Sequence, residues 1–206
     1  MSFFPEVSPV DDDELPEAWV PPAWTQPPAG WLPGRLAESG LLATTDEVAV
    51  AVTGVTAHPS GAGIELQWTL RNPGQGRRAW AALVDRFEGG RFRPGLADET
   101  AGIRFGVQLA DGSTAIADMG PGFGSFGGDP DELPVGPVLT FAHQGGQGDD
   151  RLMTGTGALW LWPLPADGPL ELVLAWPEFG VPETRHRFEH LELDAAARRA
   201  QPLWEA

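Results

Sequence analysis

The chain has no cysteine and no lysine. Without cysteine there is neither a disulfide framework nor thiolate chemistry, which suits a reducing compartment. Without lysine the Gly-Lys-Ser/Thr ending of a phosphate-binding P-loop cannot be written, so the glycine-rich stretch Gly120 to Gly128 is not one. No apolar run reaches the length of a membrane-spanning helix, and the opening MSFFPEVSPVDDDE has neither the basic nor the apolar region of a secretory signal. A cytoplasmic protein with no membrane partner is expected. Also missing are a nucleophile with a neighbouring base, a metal-spaced cluster and a Gly-x-Ser-x-Gly elbow. The composition therefore points to a non-enzymatic protein with no cofactor.

What is present is acidic and rich in turn formers. Twenty-nine Asp and Glu face 13 Arg, for a net charge of −16. Such a chain repels phosphate backbones, so nucleic acid is not an expected partner. One local basic segment remains, Arg77, Arg78, Arg86, Arg91 and Arg93, which reads as a solvated run balancing nearby carboxylates. The 27 Gly and 21 Pro imply many turns and at least one segment without regular structure. At 206 residues the chain can still bury a substantial single core.

Residues 1–40 hold eight of the prolines, the acidic run Asp11-Asp12-Asp13-Glu14 and a single basic residue, Arg35. Proline removes backbone donors and the acidic run repels itself, so this stretch reads as a disordered or polyproline-II tail. Its aromatics, Phe3, Phe4, Trp19, Trp24 and Trp31, would serve as anchors for a protein partner; the competing reading folds them back onto the chain's own domain. From about residue 46 the pattern changes to period two. Val48, Val50 and Val52 alternate with small residues, and Ile64, Leu66, Trp68 and Leu70 alternate with polar ones; both runs are half-buried strands. Residues 79–88 have helical spacing. Asp111-Gly112 between two alternating runs is a hairpin signal, and Gly157 to Trp162, Leu170 to Trp176 and Thr184 to Leu193 complete the set, with Asp194 as N-cap of a short helix. Seven or eight strands at this spacing predict an all-β fold, an antiparallel immunoglobulin-like β-sandwich over residues 41–206, with a closed barrel as the alternative.

Few residues qualify as a site. His186 and His190 lie four apart on a strand, about 13 Å at 3.3 Å per residue, too far for one zinc ion. Asp129, Asp131, Glu132, Asp149 and Asp150 are acidic but lack the spacing of a calcium loop. The Gly-rich loops 118–136, with Phe123 and Phe126, and 143–151, with His143 and Asp149, are the places where a partner or small ligand could be held; a hydrolytic pairing of His143 with Asp149 is the alternative to a binding role. Of the nine tryptophans, Trp68, Trp160, Trp162 and Trp176 are read as core, and Trp204 as docking the last helix.

Several motifs occur together: MSFFPEVSP at residues 1–9, RFGVQLADG at 104–112, Trp162-Pro163-Leu164-Pro165, Gly168-Pro169-Leu170, Trp176-Pro177 and Ala196-Ala197-x-Arg199-Ala200-x-x-Leu203-Trp204. With them the chain resembles a family of small proteins of unassigned activity from high-GC Gram-positive actinobacteria. The resemblance implies a cytoplasmic bacterial protein and brings no catalytic residue or cofactor with it.

Overall fold

The computed structural model describes residues 21–89, 102–118 and 133–204. Twelve strands are present: β1 (Trp31–Leu32), β2 (Gly34–Leu36), β3 (Gly40–Thr44), β4 (Val48–His58), β5 (Gly61–Arg71), β6 (Arg104–Gln108), β7 (Thr114–Asp118), β8 (Val138–Gly148), β9 (Leu152–Trp162), β10 (Gly168–Trp176), β11 (Val181–Leu191) and β12 (Gln201–Pro202). Helix α1 spans Arg77–Gly89 and α2 spans Leu193–Ala197.

Ten strands form one hydrogen-bonded path, β11-β10-β6-β7-β8-β9-β5-β4-β2, with β3 also on β4; β1 and β12 pair separately. The period-two runs explain the central hairpin. Val48, Val50 and Val52 stand opposite Leu70, Trp68 and Leu66, all buried. A bulge between Val52 and Gly54 shifts the register by one, so Val55 and Ala57 continue the buried face while Thr56 and His58 turn to the outer one. β9 lies on the other side of β5, and its Gly155 and Gly157 leave room for the Trp68 indole. A Cβ on Gly155 would sit 2.2 Å from Trp68 Nε1. Across the interior, Phe105 of β6 meets Phe141 of β8 with ring centroids 5.4 Å apart. Helix α1 closes one end, with Phe87 on Trp176 at 5.5 Å; α2 packs its buried Ala196 against Gly34 of β2 so closely that Gly34 has no room for a side chain.

The molecule is mostly β, as expected, but its architecture departs from an antiparallel immunoglobulin-like sandwich. One curled sheet replaces two separate ones, and β7 pairs with β8 in parallel. Parallel neighbours need a long connection; residues 119–137 provide the length, and a strand pattern cannot tell such a connection from a loop. The sheet curls far enough to bring β3 to β11: a Cβ on Gly40 would lie 3.2 Å from His186 Cε1, yet no ladder joins the two strands.

Three boundaries also differ. The strands begin before residue 41, since β1 and β2 precede it and α2 packs on β2. The expected Gly-rich loop 143–151 is mostly strand, because glycine in β8 pairs with β9 as far as Gly148. Asp194 does not cap α2: Glu192 holds that position without a side-chain bond, and Asp194 instead pairs with Arg198. Among the described residues no helix is long and apolar enough to cross a membrane.

Candidate functional site

A cleft of about 460 Å³ lies at the end of β9, within the size range of ligand sites. Two prolines break the chain here. β9 ends at Trp162, on the outer face of the sheet, and Pro163, Leu164 and Pro165 carry the backbone out of the ladder. The turn is fixed at both ends. The Leu164 N–H donates to the Ser60 carbonyl at 3.1 Å, and Asp167 Oδ1 accepts the Asp194 N–H at 2.8 Å. Gly168 then takes φ of +150°, a conformation open to glycine, with the Ala110 methyl 3.2 Å from where its Cβ would be. Leu170 and Leu193 floor the cleft, and Pro134 and Pro137 line it from the far side.

The rim is the β6–β7 hairpin, where the Asp111-Gly112 signal is realised: Gly112 has φ of +85°. Asp111 Oδ1 accepts from the Ser113 hydroxyl at 2.6 Å and from the Ser113 N–H at 2.9 Å. These bonds, the hydroxyl's first, hold the Asp111 carboxyl below its ordinary range, so the rim carries an anion at neutral pH. Beside the cleft, Leu133 and Val135 are 70% and 105% exposed, an apolar strip continuous with the proline wall in sequence. No histidine lines the cleft, and among the described residues no three His, Asp or Glu side chains gather at metal distance. The lining is mostly apolar, and among the described residues its carboxylate and hydroxyl, Asp111 and Ser113, are bonded to each other at one edge. Such a surface can bind and orient an apolar group.

The residues singled out from sequence do not converge on this cleft. Phe3, Phe4, Trp19, Phe123 and Phe126 lie outside the described residues, as do Asp129, Asp131, Glu132, Arg91 and Arg93. Trp24 is 7% exposed and folds back on its own domain. The turn that carries it is closed by the Thr25 N–H and hydroxyl on the Pro22 carbonyl. That turn lies across β8 and β9, with Trp160 Nε1–H donating to the Ala23 carbonyl and the Thr140 hydroxyl to the Thr25 carbonyl, both at 3.0 Å. Trp31 is half-buried in β1, paired with β12.

His143 and Asp149 are not brought together. Extended backbone separates them by on the order of 20 Å. His143 stacks near Trp68 at 5.6 Å, whereas Asp149 Oδ1 accepts the N–H groups of Arg151 and Leu152 at the β8–β9 turn. Arg86 is engaged by Glu47 at 3.6 Å and by the Phe179 ring. Of the tryptophans read as core, Trp68 and Trp176 are; Trp160 is buried on the outer face instead, and Trp162 lines the cleft. Trp204 is 73% exposed and does not dock α2.

Two features escaped the sequence. The cleft shows in the chain only as the recurrence of Pro-Leu-Pro and Gly-Pro-Leu on the two sides of one turn. The other is His58, which looks like an ordinary polar strand end but is only 4% exposed.

The chain matches no family model, no curated protein and no solved structure.

Proposed function

We propose that this chain is a non-catalytic binding module, acting in the cytoplasm, whose receptor surface is the proline-walled cleft and whose occupant is an apolar, extended segment of a partner protein. The observation that carries this reading is the cleft: a preformed concavity on rigid strand ends, walled by Trp162, Pro163, Leu164 and Pro165, and bordered by exposed Leu133 and Val135. Single exposed apolar side chains need no explanation, but an apolar strip beside an apolar cleft marks an interaction surface. The open edge and the adjoining strip favour a chain over a compact molecule. The volume also admits a small apolar ligand, which is the second reading. The separation of His143, within β8, from Asp149, in the turn beyond it, counts against the hydrolytic alternative.

The test is site-specific photo-cross-linking in the source cells. A photoreactive residue at Ala166, on the cleft's open side, should give a discrete adduct with another protein. The same group at Glu189 on β11 should not, and Leu164→Arg should abolish the Ala166 adduct. Identical patterns at Ala166 and Glu189 would overturn the proposal. An adduct with a small molecule alone would favour the second reading.

A further inference from the structure

A buried histidine sits beside the residue that holds the 22–25 turn in place. His58 ends β4 on the outer face of the sheet and is 4% exposed, and its Nδ1 has no hydrogen-bond partner among the described residues. Its ring meets the Trp160 indole edge-on, with centroids 5.6 Å apart. That indole in turn donates Nε1–H to the Ala23 carbonyl. The neighbouring Ser60 carbonyl holds Leu164, a wall of the cleft. One imidazole thus lies next to both attachments.

We infer that His58 is an acid-sensitive latch: neutral, it lets the 22–25 strap seat on Trp160; protonated, it drives the strap off β8 and β9. A buried unpaired polar group is costly already, and a buried unpaired charge far more so. Among the described residues the surroundings offer the cation no counter-charge. On the outer faces of β2 and β5 the charges are Arg35 and Glu65, which are spent on each other at 2.9 Å, and Arg71 at the far end of β5 from His58. At the His58 end of the sheet the outer positions of β8 and β9 are Val138, Thr140, Trp160 and Trp162, none of them charged. Burial alone therefore lowers the imidazole's affinity for protons below the ordinary 6.5. The sign follows. A group whose folded pKa is depressed contributes stability in full above its unfolded value, and that contribution fades as pH falls below about 6.5 toward the folded pKa. Opening the strap lets the ring reach water and take its proton. This latch does not depend on what the cleft binds.

The test is hydrogen exchange at the backbone amides of Trp24 and Thr25 in the full chain, at pH 7.5 and 5.5, corrected for the intrinsic pH dependence of exchange. Each pH unit below 6.5 can raise the open fraction by at most about tenfold, so wild type should lose severalfold to about tenfold of its protection at pH 5.5. His58→Leu should keep equal protection at both pH values. Should His58→Leu pack poorly, His58→Asn, which also cannot titrate in this range, serves the same purpose. Trp160→Phe keeps a ring against His58 but lacks the donor to Ala23, and should be open at both pH values. Unchanged protection in wild type, or the same acid response in the non-titrating variants, would overturn the latch.

Discussion

At the scale of single residues, the tightest demand is made by glycine under an indole. Gly155 in β9 lies beneath Trp68, whose side chain is fully buried. A methyl group there must displace the ring or the strand, so Gly155→Ala should destabilise the fold by about 1–3 kcal/mol. Gly76 ahead of α1 has no atom within 4 Å of its virtual Cβ, and Gly76→Ala should change stability by no more than about 0.5 kcal/mol. Urea unfolding of the two variants separates packing at one site from any general effect of replacing glycine. This need for glycine was not legible in the alternation of β9. Thr-Gly-Thr-Gly reads as turn-forming or loose, and only the neighbour across the ladder explains it.

At the scale of elements, the β8–β9 hairpin is closed by one carboxylate. Asp149 Oδ1 collects the N–H groups of Leu152 and Arg151, and these bonds, Leu152's first, hold its carboxyl below the ordinary 3.8. A depressed carboxyl contributes stability above its unfolded pKa and loses it as pH falls through the folded value. Wild type should therefore be more stable than Asp149→Ala at pH 7, and the gap should narrow at pH 3 and close with further acidification. A gap independent of pH would mean that the turn does not need the charge. The elements themselves were largely readable: β4, β5, α1, the β6–β7 hairpin, β10 and β11 each follow from apolar spacing and turn residues. The parts that were not readable share a cause. Extension of β8 through Gly145, Gly146 and Gly148 rests on its partner β9, not on its own side chains. The strap's seat rests on Trp160, which is nearly 140 residues away in sequence. The cleft takes its lining from four separate segments. Local pattern gives strands and turns, while pairing partners and concavities are set by distant chain.

At the scale of the whole molecule, a net charge of −16 makes the compact state repel itself. The described ion pairs are exposed on at least one side, and exposed pairs contribute about 0–1 kcal/mol each. Screening should therefore relieve more repulsion than it removes attraction. Raising NaCl from 10 to 200 mM, which shortens the Debye length from about 30 Å to under 10 Å, should move the urea midpoint upward. A downward shift would mean that the Arg185 and Arg187 pairs with Glu171 matter more than their exposure suggests. The sheet order has a different consequence during synthesis. β5 is flanked by β4, made just before it, and by β9, made much later. About ninety residues lie between Arg71, where β5 ends, and Trp162, where β9 ends. At ~5–20 residues per second, the nascent chain waits roughly 5–20 s with one edge of β5 unpaired and Ile64, Leu66, Trp68 and Leu70 lacking their final cover. An open edge with an apolar face invites intermolecular pairing, so the growing polypeptide is the form of this molecule most in need of a chaperone.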